Sequence, residues 1–323
     1  MSPELLAVDE SIGICQNMNT SYDQFRSYLG QGQLSIFLFH GVTTTTDYQV
    51  RNYTRKHISK ESFHNFCQSF SRWGTAISLN DVLEIWESGS ELPPNAFAIT
   101  FDDGFANNHT IACPILADFK LPATFYVTTG FLDSHTPSWI DAIEIALEKT
   151  TCQEVNLDVV GGVVSIRSSS EKQQLLNAIR HRIKSSSNVD PLSFSYETCL
   201  SLGVDVFSHL DPDLDRKLTS SEVAAIASDP LFEVGGHSHT HRILSFLDME
   251  ELQLEVSRSL DILTPLLGKA VIHYSYPEGQ PDSYNESVIS LLKQNGIEIC
   301  PTAIHGTNYI GDDLFSLKRI AMV

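Results

Sequence analysis

The strongest chemical signal in the sequence is a pair of neighbouring carboxylates, Asp102 and Asp103, at the end of the apolar run Phe97-Ala98-Ile99-Thr100-Phe101. Adjacent Asp side chains repel each other, and a protein tolerates them best where a cation or a proton gives them different roles. The pair therefore indicates one Asp that holds a metal ion and one that accepts a proton. The alternative is a plain Asp-Gly turn at a strand end, and this motif alone does not separate the two interpretations.

A second signal is the histidine cluster Gly235-Gly236-His237-Ser238-His239-Thr240-His241, which follows another apolar run. His237 and His241 are four residues apart, so a tight loop places both rings on one side, at a spacing that suits zinc or a similar ion. Together with one Asp they make a three-ligand set with an open position, which is typical of a catalytic metal site. We expect His239 to point away from them. A His-rich polar loop is the alternative.

Four polar motifs share one position, the C-terminal end of an apolar strand. They are the carboxylate pair, the histidine cluster, His40-Gly41 and Pro277-Glu278-Gly279. The ends of parallel strands converge on one face of a barrel, where active sites are built. The order of the motifs therefore predicts a single composite site.

The elements that must position these motifs alternate between strand and helix. Predicted strands cover residues 35–39, 97–101, 123–127, 232–236, 272–276 and 297–300. Helical spacing of apolar residues between them predicts a parallel sheet or barrel.

The alternation stops between about 137 and 218. Residues 155–160 and 163–167 flank Gly161-Gly162 as a predicted hairpin, one helix follows, and the rest reads as an irregular polar stretch. We interpret this segment as an insertion on the scaffold, with a small separate lobe as the alternative.

Composition narrows the class of protein. The 323 residues carry 40 Asp and Glu against 21 Lys and Arg, a net charge of -19, so phosphate backbones are repelled and nucleic acid is not an expected partner. The six cysteines form no CxxC pair and indicate core residues in a reducing compartment. No window has the length of a membrane span, and the first ten residues do not resemble a signal peptide. We therefore expect a cytoplasmic protein.

Two of these motifs together resemble a known family. Thr100-Phe101-Asp102-Asp103-Gly104 and His237-Ser238-His239-Thr240-His241 are similar to the T-F-D-D-G and H-[S/T]-x-x-H motifs of polysaccharide deacetylases (NodB homology). The resemblance runs from about Ser35 to the end, and the insertion is its least familiar part. It implies an α/β fold, an irregular (β/α) barrel carrying the inserted hairpin and helix, with residues 1–323 as one catalytic domain.

The resemblance also implies the chemistry. Members of the family hydrolyse an N-acyl group, usually N-acetyl, from an amino sugar. By analogy a divalent metal, most often zinc, is held by Asp103, His237 and His241, and Asp102 is the general base. N-formyl is a second acyl group that this chemistry allows.

The general acid is assigned to His40. Phe39-His40-Gly41-Val42 is similar to a motif of the exopolysaccharide-type branch of the family, and a histidine titrates near neutral pH. Other members use a late Leu-x-His motif, for which His305 is the nearest match. We place His305 second because its surroundings indicate a loop. A structural histidine that caps a strand end is the remaining interpretation of His40.

The chain departs from the family at the third motif. Ser275 stands where an Arg orients the catalytic Asp in many members, so what holds Asp102 is open. The following residues Tyr276, Pro277 and Glu278 are expected to line the substrate site. Trp139 is either a platform for a sugar ring or a buried helix start, and no fourth motif is recognisable.

Three functions follow from these observations. The first is N-deacylation of an amino sugar that is nucleotide-linked, lipid-linked or part of a soluble oligosaccharide. The second keeps the metal site but cleaves an O-acetyl ester or a non-sugar amide. The third is a barrel that binds saccharide without turnover, which only Ser275 favours.

Overall fold

A computed structural model describes residues 22–134, 136–185 and 189–323; Cys15 and the first ten residues, used above, lie outside this part. The strands are β1 (Leu34–Phe39), β2 (Gly41–Thr43), β3 (His57–Ser59), β4 (Thr75–Ala76), β5 (Ala96–Phe101), β6 (Ala123–Val127), β7 (Glu154–Leu157), β8 (Gly162–Ser165), β9 (Phe232–Gly236) and β10 (Ile320–Ala321). The helices are α1 (Lys60–Trp73), α2 (Leu79–Ser88), α3 (Cys113–Phe119), α4 (Trp139–Lys149), α5 (Ser169–Lys184), α6 (Pro191–Ser201), α7 (Ser220–Ser228), α8 (Met249–Leu267) and α9 (Glu286–Gln294).

The main sheet is parallel, in the order β10-β1-β5-β6-β9, and β4 pairs with the start of β5. Every residue of β1, β5, β6 and β9 is buried. Continuous burial is what a parallel sheet covered on both faces requires, and it explains the unbroken apolar runs in the sequence. The predicted alternation of strands and helices is confirmed.

Irregular segments continue the sheet beyond β9. The amide of Ser275 donates to the Gly236 carbonyl, and the amide of Tyr274 donates to the Ile299 carbonyl. The amide of Thr302 in turn donates to the carbonyl of Leu317, close to β10. The predicted strands 272–276 and 297–300 therefore form isolated bridges instead of regular strands. These bridges make the α/β barrel irregular, as expected.

Local capping explains where the helices begin. Ser59 caps α1 through the amide of Ser62, as its position in the sequence predicts. Thr219 and Asp248 open α7 and α8 with capping boxes. The helices then pack apolar faces on the sheet, where Phe37 contacts Phe66 and Phe70 edge to face.

The segment predicted as an insertion, 137–218, is richer in helix than expected. The hairpin β7–β8 and the helix α5 are present, but α4 and α6 flank them, and α6 occupies part of the stretch predicted to be irregular. The sequence of α6 has only a weak amphipathic pattern, because Leu192, Tyr196 and Leu200 are apolar but exposed. The pattern therefore did not predict this helix. An apolar cluster separate from the main core includes Ile143, Leu176 and Ile179. That residues 1–323 form one domain stays a prediction.

Two further features bear on the expectations from composition. Cys67, Cys113, Cys199 and Cys300 are buried, Cys152 is half-buried, and all five are free. Among the described residues, no helix is both long enough and apolar enough to cross a membrane. The cytoplasmic location stays a prediction.

Replacing Gly236 with Ala should destabilise the barrel where β9 meets the next segment. A Cβ at this position would lie 2.4 Å from the buried Tyr274 ring, and overpacking of this kind costs about 1–3 kcal/mol of unfolding free energy. Urea unfolding measures the loss. Gly30→Ala is the matched control, because a Cβ there meets only the flexible Gln33 side chain; equal stability of the two variants would contradict the expectation.

Candidate active site

Three side chains from two loops converge to form a candidate metal centre. Asp103 follows β5, and His237 and His241 follow β9. The Asp103 Oδ1 atom lies 3.2 Å from His241 Nε2 and 3.5 Å from His237 Nε2. One ligand atom from each residue falls within 4.8 Å of the others. The structure thus brings together the three residues expected to bind the metal.

Backbone strain concentrates around this centre. Asp103, Ser238, His241 and Glu278 all have positive φ, at 75°, 61°, 63° and 63°. Residues other than glycine rarely adopt this left-handed backbone conformation. It persists where the surrounding structure forces it. At Asp103 the left-handed backbone turns the chain sharply after Asp102, so the two neighbouring carboxylates meet different partners.

Hydrogen bonds orient the two histidines. His237 is almost fully buried, and its Nδ1 lies 2.9 Å from the Ser275 carbonyl oxygen, which only a protonated Nδ1 can satisfy. This contact leaves the His237 Nε2 lone pair facing Asp103, the arrangement usual for a metal-binding imidazole. The His241 amide donates to Ser238 Oγ at 2.9 Å and fixes the loop. His239 is turned away and contacts Thr129, as expected.

Two imidazole nitrogens and one carboxylate oxygen are a donor set that suits zinc. Burial alone would raise the pKa of Asp103, but the neighbouring imidazoles of His237 and His241 hold that pKa well below its usual range. The carboxylate is therefore charged and available as a ligand. By donor chemistry and ring orientation, the residues present fit a divalent metal ion.

Asp102 is clamped by a residue from the other end of the chain, Arg319. Arg319 Nη1 donates to Asp102 Oδ1 at 2.8 Å and Nη2 donates to Oδ2 at 2.7 Å, and both residues are buried. Burial raises the pKa of Asp102, but the guanidinium outweighs it and the net shift is downward. Asp102 is therefore ionised at neutral pH and fixed in orientation, as a general base must be.

Arg319 is the site residue that the sequence motifs did not reveal. It precedes β10 and also donates to Thr100 Oγ1, Thr302 O and Ser275 Oγ. Ser275, at the position of the family's motif-three Arg, thus supports a guanidinium that arrives from another segment. The available signal was the pair of adjacent cations Lys318 and Arg319 between the apolar residues Leu317 and Ile320.

His40 lies next to the two carboxylates, as expected. It follows β1, and burial lowers its pKa by more than the neighbouring Asp103 and Asp102 raise it. Its Nδ1 is buried and makes no hydrogen bond within the described part of the chain. An atom this buried is out of reach of a substrate, so any action of His40 on one would go through the other ring nitrogen, Nε2.

A buried ion cluster ties the insertion to the site. Asp141 on α4 pairs with Lys56 at 2.6 Å and with Lys217 at 3.7 Å. The Lys217 ammonium also lies 3.3 Å from the centre of the Phe105 ring, two residues beyond Asp103. Burial lowers the pKa of Lys217 to about 8 despite Asp141. The insertion is thereby anchored by groups that reach the loop after β5.

The residues expected to contact substrate divide into two groups. Trp139 and Glu278 line a cavity of about 270 Å³ that also includes His241. Tyr276 is fully buried, donates to the Phe315 carbonyl and stacks on Tyr284, so a substrate does not reach it.

Pro277 and His305 are not brought into this cavity. Pro277 is buried next to Tyr276. His305 is exposed, and its Nε2 is bonded to the Tyr28 hydroxyl at 2.9 Å. The geometry therefore favours His40 over His305 as the acid.

Residues 89–300 match the sequence model of a family described as polysaccharide deacetylase. No curated protein matches the chain.

Solved structures share the fold at low identity. Streptococcus pyogenes deacetylase PplD, solved with acetate, aligns at a TM-score of 0.58 and 15% identity over 91% of this chain and 93% of its own. IcaB from Ammonifex degensii gives 0.57 and 15% over the same shares. The BpsB deacetylase domain from Bordetella bronchiseptica gives 0.53 and 15% over 90% and 96%.

Replacing Arg319 with Met should strongly destabilise the protein. It leaves the Asp102 carboxylate buried without its countercharge, which costs about 3–5 kcal/mol. Chemical unfolding measures the loss. Arg242→Met is the matched control, since its ion pair with Glu251 is half-exposed and worth about 0–1 kcal/mol.

The double variant Arg319→Met with Asp102→Asn isolates the cause. Removing the charge together with its partner should recover part of the lost stability. A double variant less stable than Arg319→Met alone would show that Arg319 acts mainly by packing.

Proposed function

Because the chain belongs to the polysaccharide deacetylase family, we propose that it hydrolyses the N-acetyl or N-formyl group of an amino-sugar substrate with a divalent metal ion, zinc being the ion that suits its donors. One observation carries the proposal. The cluster of Asp103, His237 and His241 lies beside a second carboxylate that Arg319 holds ionised and oriented. A structural metal site has no use for such a base.

The metal would be held by Asp103, His237 and His241. When bound, the cation would lower the pKa of a water molecule and polarise the acyl carbonyl. The protein's own contribution is the fixed set of three ligands and the neighbouring base.

Asp102 would accept the proton of the attacking water. Both its oxygens already accept from Arg319, yet a carboxylate has lone pairs to spare for one further partner. The clamp keeps the carboxylate from rotating, and general-base catalysis of this kind contributes about 10²–10⁴ in rate. Arg319 is thus a positioning residue for Asp102.

His40 would protonate the departing amine. Its lowered pKa means that it is mainly neutral in the resting protein. The proton that it donates would therefore come from the reaction itself, since Asp102 gains one in the preceding step. Because Nδ1 is buried, Nε2 would be the atom that exchanges it.

The other two functions receive less support. A barrel without turnover was favoured only by Ser275 in place of Arg, and Arg319 supplies that guanidinium. An O-acetyl ester would meet the same residues, so the assay below includes one.

Asp102→Asn and Asp103→Asn should separate base from ligand. Asp102→Asn should bind zinc normally and lose about 10²–10⁴ in the rate of amine release, while Asp103→Asn should lose zinc as well. Zinc content and amine release from N-acetylated nucleotide sugars and chitooligosaccharides are measured together, with acetate release from O-acetyl sugars alongside. Full turnover by Asp102→Asn, or acetate release from esters only, would contradict the proposal.

His40→Gln should lower kcat with zinc content unchanged, by a factor of about 10²–10⁴. The exposed His209→Gln serves as the matched control and should keep wild-type kcat. Equal kcat for the two variants would contradict the assignment of His40 as the acid and would indicate a structural role.

A further inference from the structure

A cavity of about 270 Å³ opens beside the candidate metal centre, and His241 forms part of its lining. On one side it is bounded by the loop that follows His241. On the other side the insertion supplies the wall, with Trp139, Ile183, Lys184, Val189, Asp190 and Pro191. The insertion is therefore a constituent of the site and not only an appendage.

Two charged side chains meet across this cavity. Lys184 at the end of α5 pairs with Glu278, which follows the irregular segment 272–276. The side chains keep 35% and 20% of their exposure, so both remain open to a ligand. A carboxylate accepts and an ammonium donates, so the pair offers both kinds of partner that a sugar hydroxyl needs.

Glu278 is held charged next to the centre. The Lys184 ammonium is its countercharge, and both side chains line the cavity together with His241. Its positive φ of 63° shows that the backbone is forced to present the side chain here. Trp139, half-buried at the start of α4, adds an aromatic surface to the same cavity.

The volume limits what the cavity holds. Pockets for drug-sized ligands measure about 300–1,000 Å³, so this cavity fits one sugar ring rather than a stretch of polymer. The insertion keeps the wall in place, because its Asp141 pairs with Lys56 of the scaffold and its Lys217 lies over the Phe105 ring.

We infer that this cavity is a subsite for a single amino-sugar ring, in which Glu278 and Lys184 bind the ring hydroxyls and Trp139 packs against its apolar face. The insertion thereby builds a site that a single-sugar conjugate fills as completely as a longer chain does. The inference rests on the proposed function, because the acyl group of that ring would face the metal ligands.

Calorimetric binding to the zinc-loaded Asp102→Asn protein tests the subsite without turnover. The probes are methyl N-acetyl-β-glucosaminide and chitopentaose. We expect Kd values that agree within about threefold, because only one ring is held. Absence of binding by both probes, or a pentasaccharide bound more than about tenfold tighter, would overturn the inference.

Glu278→Gln and Lys184→Met are each added to the Asp102→Asn protein. Each should weaken the binding of both probes about tenfold, which corresponds to about 1.4 kcal/mol. The matched controls are Glu87→Gln and Lys172→Met, which lie away from the cavity. The double variant Glu278→Gln with Lys184→Met leaves neither charge unpaired. Normal glycoside binding by the double variant would show that the pair only tethers the insertion.

Binding and turnover separate the two proposals. If the glycoside binds but the wild-type protein releases no amine from any N-acyl sugar, N-deacylation fails and the subsite stands. If amine is released while Glu278→Gln binds the probes normally, the subsite fails and N-deacylation stands.

Discussion

Two neighbouring carboxylates in one mostly buried site must each find a separate countercharge. Asp102 and Asp103 would otherwise repel each other at a cost that burial increases. The structure separates them by a left-handed backbone at Asp103, which sends one carboxylate to Arg319 and the other to the two histidines. Much of the surrounding structure serves this separation. Thr100, Thr302 and Ser275 satisfy the guanidinium, and the Ser275 carbonyl also orients His237.

The closure of the barrel and the assembly of the site are therefore linked. Arg319 lies next to the short β10, which pairs with β1 beside the strand that carries Asp102. Ser275 lies on the irregular segment that pairs with β9. A barrel that failed to close would leave Asp102 without its partner. The insertion also contributes to the site. Its buried Asp141 pairs with Lys56 and Lys217, and its helices form the cavity wall opposite His241.

The pattern of apolar residues in the sequence predicts most of the strands and helices of the scaffold. The apolar runs at β1, β5, β6 and β9 are continuous because both faces of the sheet are covered, and their polar ends mark the site. The segments 272–276 and 297–300 were expected as strands, but pairing there is limited to single bridges. Helix α6 escaped prediction because its exposed apolar residues blur the amphipathic pattern by which a helix is recognised.

The sequence by itself determined the chemical types at the site, since the metal ligands and the base lie in two short motifs whose spacing is local. Only the tertiary structure decided what holds Asp102. Its partner, Arg319, is separated from it by more than two hundred residues, and no local pattern encodes so distant a contact. The same reason applies to Glu278 and Lys184, which the folded insertion brings together. The local motifs therefore predict which chemical groups are present, whereas the tertiary fold decides which of them are in contact.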